Sequence, residues 1–98
     1  MAAFVQLIEY TTSKHDEMMK FVNEWRDTHP DRGYDWLVVG ADRDKPGSFV
    51  TMVRFGSYEA AMKNNEDPAT QEFAERMSQM TDAPPTFRNM DVVITEGA

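Results

Sequence analysis

Residues 34–55 read Tyr-Asp-Trp-Leu-Val-Val-Gly-Ala-Asp-Arg-Asp-Lys-Pro-Gly-Ser-Phe-Val-Thr-Met-Val-Arg-Phe. The runs 34–41 and 48–55 are rich in β-branched and aromatic side chains, the composition of strands. The six residues between them, Asp42 to Gly47, are four charged residues followed by Pro-Gly. Pro46-Gly47 suits a type II turn, in which glycine supplies the positive φ. This stretch predicts two consecutive strands closed into an antiparallel hairpin at the middle of the chain.

Working outward, a helical pattern flanks the hairpin on each side. Upstream, Met18, Phe21, Val22, Trp25 and His29 fall on one side at helical spacing, with Lys20, Asn23, Glu24 and Asp27 opposite. Ser13 is the expected N-cap, Asp16 completes a capping-box-like start, and Pro30 and Gly33 end the helix. Downstream, Ser57 caps a helix whose inner side is expected to carry Tyr58, Ala61, Met62 and Asn65. The pattern breaks at Asn64-Asn65-Glu66-Asp67 and resumes with Asp67 as cap and Pro68 at the first helical position. Ala69, Phe73, Met77 and Met80 line one face of the resumed helix.

Residues 4–10 form the first strand. After the rigid connector Asp82-Ala83-Pro84-Pro85, Thr86 to Ile94 form the last, and Thr95 to Ala98 a loose tail. The order strand, helix, strand, strand, helix, strand is the split βαβ arrangement of ferredoxin-like domains. The expected fold is therefore α+β: a βαββαβ domain over residues 1–98, with a four-stranded antiparallel sheet and a second helix broken near Asn65–Pro68. A chain of 98 residues buries roughly 65% of its unfolded surface, enough for one core without staples.

The strands are apolar on both alternating sets: Val5 and Leu7 against Phe4 and Ile8, Leu37 and Val39 against Trp36 and Val38, Val50 and Met52 against Phe49 and Val53. Helices can cover one face only. A bare apolar sheet is a liability in a soluble monomer, so the reading is a homodimer whose sheets pack face to face.

Composition excludes several function classes. There is no cysteine, hence no disulfide framework and no thiolate chemistry. The start has no basic n-region, and no stretch approaches the roughly 20 apolar residues of a membrane span. A soluble, cytoplasmic protein without a membrane partner is expected. Ten basic residues stand against 17 acidic, a net charge of −7, and the basic ones are scattered. A polyanion is repelled by such a surface, so nucleic acid is not an expected partner.

Few residues offer chemistry. Two distant histidines without patterned carboxylates make no zinc site, and there is no glycine-rich phosphate loop. No metal or cofactor is expected. His15 falls in the first turn of a helix, on the solvated side. His29 lies on the apolar stripe near a helix C-terminus, as a helix-end residue or as a weak candidate for a general base. Asn65 is read either as a cap of the broken helix or as a hydrogen-bond partner for a ligand oxygen. Gln6, between Phe4 and Ile8, is placed at the floor of a pocket between helices and sheet, with Trp25, Asn65, Phe73 and Met77 on its wall. A mostly apolar surface with a few orienting amides suits a small hydrophobic or aromatic molecule. The eight methionines are adaptable fillers around such a ligand. Arg54 and Asp91 are strand charges placed to pair within the dimer.

The run Val53-Arg54-Phe55-Gly56-Ser57-Tyr58-Glu59-Ala60-Ala61-Met62 carries a family resemblance. A strand ending in an aromatic, then a Ser cap and Glu-Ala, resembles the entry to the second helix in the dimeric α+β barrel superfamily. Within it the resemblance is to the antibiotic-biosynthesis-monooxygenase-like domains, from Phe4 to Val93. The segments Asn64 to Phe73 and Pro84 to Val92 look like a small actinobacterial branch. The resemblance implies a dimeric barrel and a small, mostly aromatic or polyketide-like ligand between sheet and helices. Some relatives oxidise such molecules without a cofactor; others degrade heme. The heme degraders' Asn, Trp and His positions fall at Gln6, Asn64 and Phe73, and none matches. Phe cannot ligate iron, so heme degradation is not expected. Two readings follow. One is a small dimeric barrel protein that binds a hydrophobic or aromatic molecule. The alternative is a cofactor-independent monooxygenase that desolvates a phenolate-like substrate and orients it with Asn65, Gln6 and His29.

Overall fold

Every strand of the hairpin core finds an antiparallel neighbour. The computed structural model describes residues 2–30 and 33–97; Ala98 of the expected tail lies outside them. The elements are β1 (Phe4–Thr11), α1 (His15–Thr28), β2 (Trp36–Ala41), β3 (Ser48–Phe55), α2 (Tyr58–Glu66), α3 (Pro68–Ser78) and β4 (Thr86–Asp91). The sheet order is β2-β3-β1-β4, antiparallel throughout. This is the ferredoxin-like βαββαβ fold with the second helix divided in two. None of its helices is long and apolar enough to cross a membrane, among the described residues.

The hairpin turn forms as its residues dictate. Gly47 has φ +85°, and the Asp42 carboxylate accepts the Asp44 and Lys45 N–H groups at 2.9 and 3.2 Å. The Ser57 hydroxyl accepts the Ala60 N–H at 3.1 Å, and Asp67 accepts the Ala69 N–H at 2.8 Å with Pro68 opening α3. Both caps satisfy donors that a helix start leaves orphaned.

The start of α1 differs from the expectation. Ser13 is not its cap: the helix begins at His15 after Lys14, and Lys14 gives no side-chain cap. The Ser13 hydroxyl bonds to Asp82 at 3.2 Å instead. Buried Thr12 takes over locally, accepting the Lys14 N–H at 2.9 Å and donating to the Met80 carbonyl. The two hydroxyls thus tie the end of β1 to the end of α3. β2 begins at Trp36 rather than residue 34, and β4 ends at Asp91 rather than Ile94, since its partner β1 begins at Phe4, opposite Asp91.

Alternation and register assign the faces. Phe4, Gln6, Ile8 and Tyr10 face the helices with Phe49, Thr51, Val53 and Phe55. The core has two centres. Phe4, Val53 and Phe55 pack with Ala61 of α2, while Tyr10 and Phe49 pack with Met18 of α1 and with Met77 and Met80. The opposite face bears Val5, Leu7, Val38, Val50 and Met52. Trp36, Arg54, Val5 and Met90 form one row across all four strands. No helix lies on this face among the described residues. Trp36 is 44% and Val38 48% exposed.

Candidate functional site

The inward stripe of α1 meets that of α3. The Phe21 and Phe73 rings stack at 5.4 Å, and the Trp25 indole meets Phe73 at 5.5 Å and Phe21 at 5.7 Å. The Arg76 guanidinium caps the group, 5.8 Å from the Phe21 centroid. Phe21, Trp25 and Phe73 are each half-buried, so the cluster opens to solvent on one side. Met77, one turn along α3, packs on the neighbouring centre around Tyr10 and Met18. The structure therefore brings Trp25 and Phe73 together and places Met77 on the neighbouring centre.

Gln6 sits in the middle of the central strand β1, on the helix-facing side, and is half-buried. Its amide donates to the Asn89 side chain at 3.2 Å. A well-covered central strand ordinarily carries an apolar residue at such a position, because a buried amide needs partners.

Asn65 does not point inward as expected; it is exposed. The inward stripe of α2 runs through Ser57, Ala60, Ala61 and Asn64, and Asn65 lies one helical step beyond it. Tyr58 is shifted likewise: it touches Phe4 edge-on at 5.4 Å yet stays half in solvent. The half-buried amide is that of Asn64. It accepts the Thr70 hydroxyl at 3.4 Å and abuts Gly33, where an added Cβ would lie 2.5 Å from the Asn64 Oδ1. The two adjacent asparagines give no sequence signal for which one turns in; only the helix phase set by Ala61 decides it.

His29 is exposed. Its ring lies flat on Trp25 at 4.0 Å, and its Nδ1 is within 2.9 Å of the Thr28 hydroxyl and 3.1 Å of the Trp25 carbonyl. It closes the C-terminal end of α1. His15, expected in solvent, is instead half-buried and stacks on Phe49 at 4.4 Å. The His15 Nδ1 and the Tyr10 hydroxyl are both buried without a hydrogen-bond partner. Arg54 pairs with Asp35 on the open face, and Glu9 stands 4.0 Å from Arg88 there.

The surface carries a cleft at the start of α1 and another on the open face of the sheet. One, of about 300 Å³, lies along Ser13 to Glu17; the other, of about 730 Å³, lies on the open face under residues 91–96, above Val5, Trp36, Arg54 and Met90. Neither is lined by Gln6, Trp25, Asn65, Phe73 or Met77. Among the described residues no group of three His, Asp or Glu side chains is arranged to hold a metal ion.

No family model matches the sequence, and no curated protein sequence matches it either. Solved structures do match. SnoaB, a cofactor-independent oxygenase from Streptomyces nogalater, superposes in a variant form with TM-score 0.81 at 12% identity, covering 97% of both chains. A proposed antibiotic biosynthesis monooxygenase from Caulobacter crescentus gives 0.79 at 11% identity, covering 95% of this chain and 92% of that one. A conserved protein from Methanosarcina mazei gives 0.79 at 13%, covering 93% of each. Antibiotic biosynthesis monooxygenase domains are thus the structural neighbours of this chain, and it has their fold.

Proposed function

We propose that this chain is a small homodimeric barrel protein that binds a hydrophobic or aromatic molecule between its helices and its sheet. One observation carries this reading: the half-open aromatic seam of Phe21, Trp25 and Phe73 on the helix side of a sheet whose central strand presents the partly solvated amide of Gln6. Flat apolar walls with a few convergent amides are the composition of a small-molecule site. Gln6 and Asn64 supply the amides, Trp25 and Phe73 the walls, and Met77 an adaptable side. The apolar open face, on which Arg54 is paired with Asp35 and Arg88 stands beside Glu9, supports the dimer.

The test is binding of 1-naphthol, followed by quenching of Trp25 emission in a Trp36→Phe background. Saturable quenching that Gln6→Leu weakens supports the site. Quenching linear in naphthol, untouched by Gln6→Leu and Phe73→Ala, sinks it. Sedimentation at low micromolar concentration tests the dimer, and a folded species of the 11.3 kDa monomer mass would end that part of the reading.

The likeness to SnoaB favours a second reading, a cofactor-independent monooxygenase acting on an aromatic or polyketide-like substrate. Without a cofactor the electrons that reduce O2 come from the substrate itself. O2 uptake matched to loss of an electron-rich phenol separates catalysis from binding alone.

A further inference from the structure

We propose that Gln6 and Asn89 act as a pair that selects the ligand, and that the ligand is a neutral planar lactam, a ring system with an N–H beside a C=O. The proposal rests on the small-molecule reading above and names the class of molecule.

Gln6 of β1 stands opposite Asn89 of β4, and its amide N–H donates to the Asn89 side-chain carbonyl at 3.2 Å. One bond between two primary amides leaves the Gln6 carbonyl and the Asn89 NH2 without a side-chain partner among the described residues. If both amides turn over, the bond reverses and the two free groups change places. Either way the pair offers one donor and one acceptor. Facing side chains on paired strands have Cβ atoms about 4.5–5.5 Å apart, so one small molecule reaches both. Gln6 is half-buried, so its free group is partly withdrawn from water and gains from a partner.

Phe87 supplies a flat neighbour. It lies opposite Ile8, two residues from Asn89 and on the same face of β4. Its residue is 55% exposed. All six residues of β4 are exposed, so no helix among the described residues covers this strand. A planar ligand stacked on Phe87 has its polar edge within reach of the two amides.

Charge and hydrogen bonding choose the class. Asp91 stands on the same face, opposite Phe4, and is exposed. The whole chain carries a net charge of −7. An aryl carboxylate is an anion at neutral pH and is repelled by both. An aromatic ketone with a hydroxyl beside its carbonyl bonds its donor to its own acceptor, which leaves the acceptor of the amide pair unmatched. A lactam has no such internal bond. Its N–H and C=O point from one edge of the ring, one for the free carbonyl of the pair and one for the free NH2.

The test is calorimetric titration with 2-quinolone, N-methyl-2-quinolone, 2-naphthoate and 1-naphthol, at pH 7. N-methylation removes the donor and keeps the ring. Asn89→Asp keeps the volume and removes the NH2, and Asn89 is exposed, so the substitution spares the core. The expected result is that the parent binds 2-quinolone about tenfold more tightly than its N-methyl derivative or 2-naphthoate, the worth of one hydrogen bond. In Asn89→Asp the preference over the N-methyl derivative falls to within about twofold. A parent that binds 1-naphthol saturably but shows no preference for 2-quinolone over the N-methyl derivative or 2-naphthoate overturns the lactam assignment and leaves the pocket standing. A preference that survives Asn89→Asp does the same. A parent that binds none of the four overturns both.

Discussion

The indole of Trp25 and the ring of Phe73 meet at 5.5 Å and 51°, one from α1 and the other from α3. This contact joins the two halves of the helix layer. α1 follows β1 and α3 precedes β4, so the pair links helices separated by the whole hairpin. Phe21 completes the group by stacking on Phe73 at 19°. Tilted and offset aromatic pairs contribute about 0.5–1.5 kcal/mol beyond their buried area.

Phe73→Ala removes both pairings at once. Phe73 is half-buried, so the loss falls below that of a fully buried ring, at about 2 kcal/mol. Urea denaturation reads the loss, and Trp25 emission shifts to the red as the indole gains water. An unchanged midpoint and spectrum would mean that the seam is not formed in solution.

Thr12 and Ser13 are adjacent hydroxyls with opposite expected outcomes. Thr12 is buried, accepts the Lys14 N–H and donates to the Met80 carbonyl. Thr12→Val leaves both backbone groups short of a partner and costs about 1–3 kcal/mol. Ser13 is exposed and bonds only to exposed Asp82, so Ser13→Ala stays within about 0.5 kcal/mol. Denaturation midpoints that reversed this order would restore Ser13 as the helix cap.

The element order was legible because two periodicities alternate cleanly along the chain. The turn at Pro46-Gly47 and the cap at Asp67-Pro68 each depend on a residue with one strong local preference. Phase was less legible. Asn65 and Tyr58 were expected inward from an ideal helical count. Packing of Ala61 against Phe4 and Phe55 rotates the stripe toward Asn64. The α1 start misled for a related reason. Ser13 has the composition of a cap, but its hydroxyl is claimed by Asp82, 69 positions away, and no local pattern records that partner. The contact of Trp25 with Phe73 and the inward place of Met77 were readable because all three lie on the apolar stripes of their helices.

The Tyr10 hydroxyl is buried without a partner, in a residue only 7% exposed. Replacing a buried, unpaired hydroxyl by hydrogen keeps shape and removes a desolvated group. Tyr10→Phe is therefore expected to be neutral or to stabilise by about 1 kcal/mol, read as a higher denaturation midpoint. Destabilisation by more than about 1 kcal/mol would show that the hydroxyl has a bound water or ligand as its partner in solution.

Gly33 and Asn64 form the sharpest test of the half-buried amide. A Cβ on Gly33 would lie 2.5 Å from the Asn64 Oδ1 and 3.0 Å from its Cγ. The side chain of Asn64 must then swing away and give up the Thr70 hydroxyl, at 3.4 Å a weak bond. Gly33→Ala should cost roughly 1 kcal/mol, the low end for inserting a methyl group into a packed site whose neighbour can rotate. In an Asn64→Ala background the Oδ1 and Cγ are gone and only the Cβ contact at 3.1 Å remains, so the same substitution should cost distinctly less. The two changes are then non-additive, as expected for side chains in contact. If Asn64 also orients a ligand, Gly33→Ala should weaken 1-naphthol binding through the displaced amide. Equal costs of Gly33→Ala in both backgrounds would mean that Asn64 does not occupy this position, and the inward amide would have to be sought elsewhere on the broken helix.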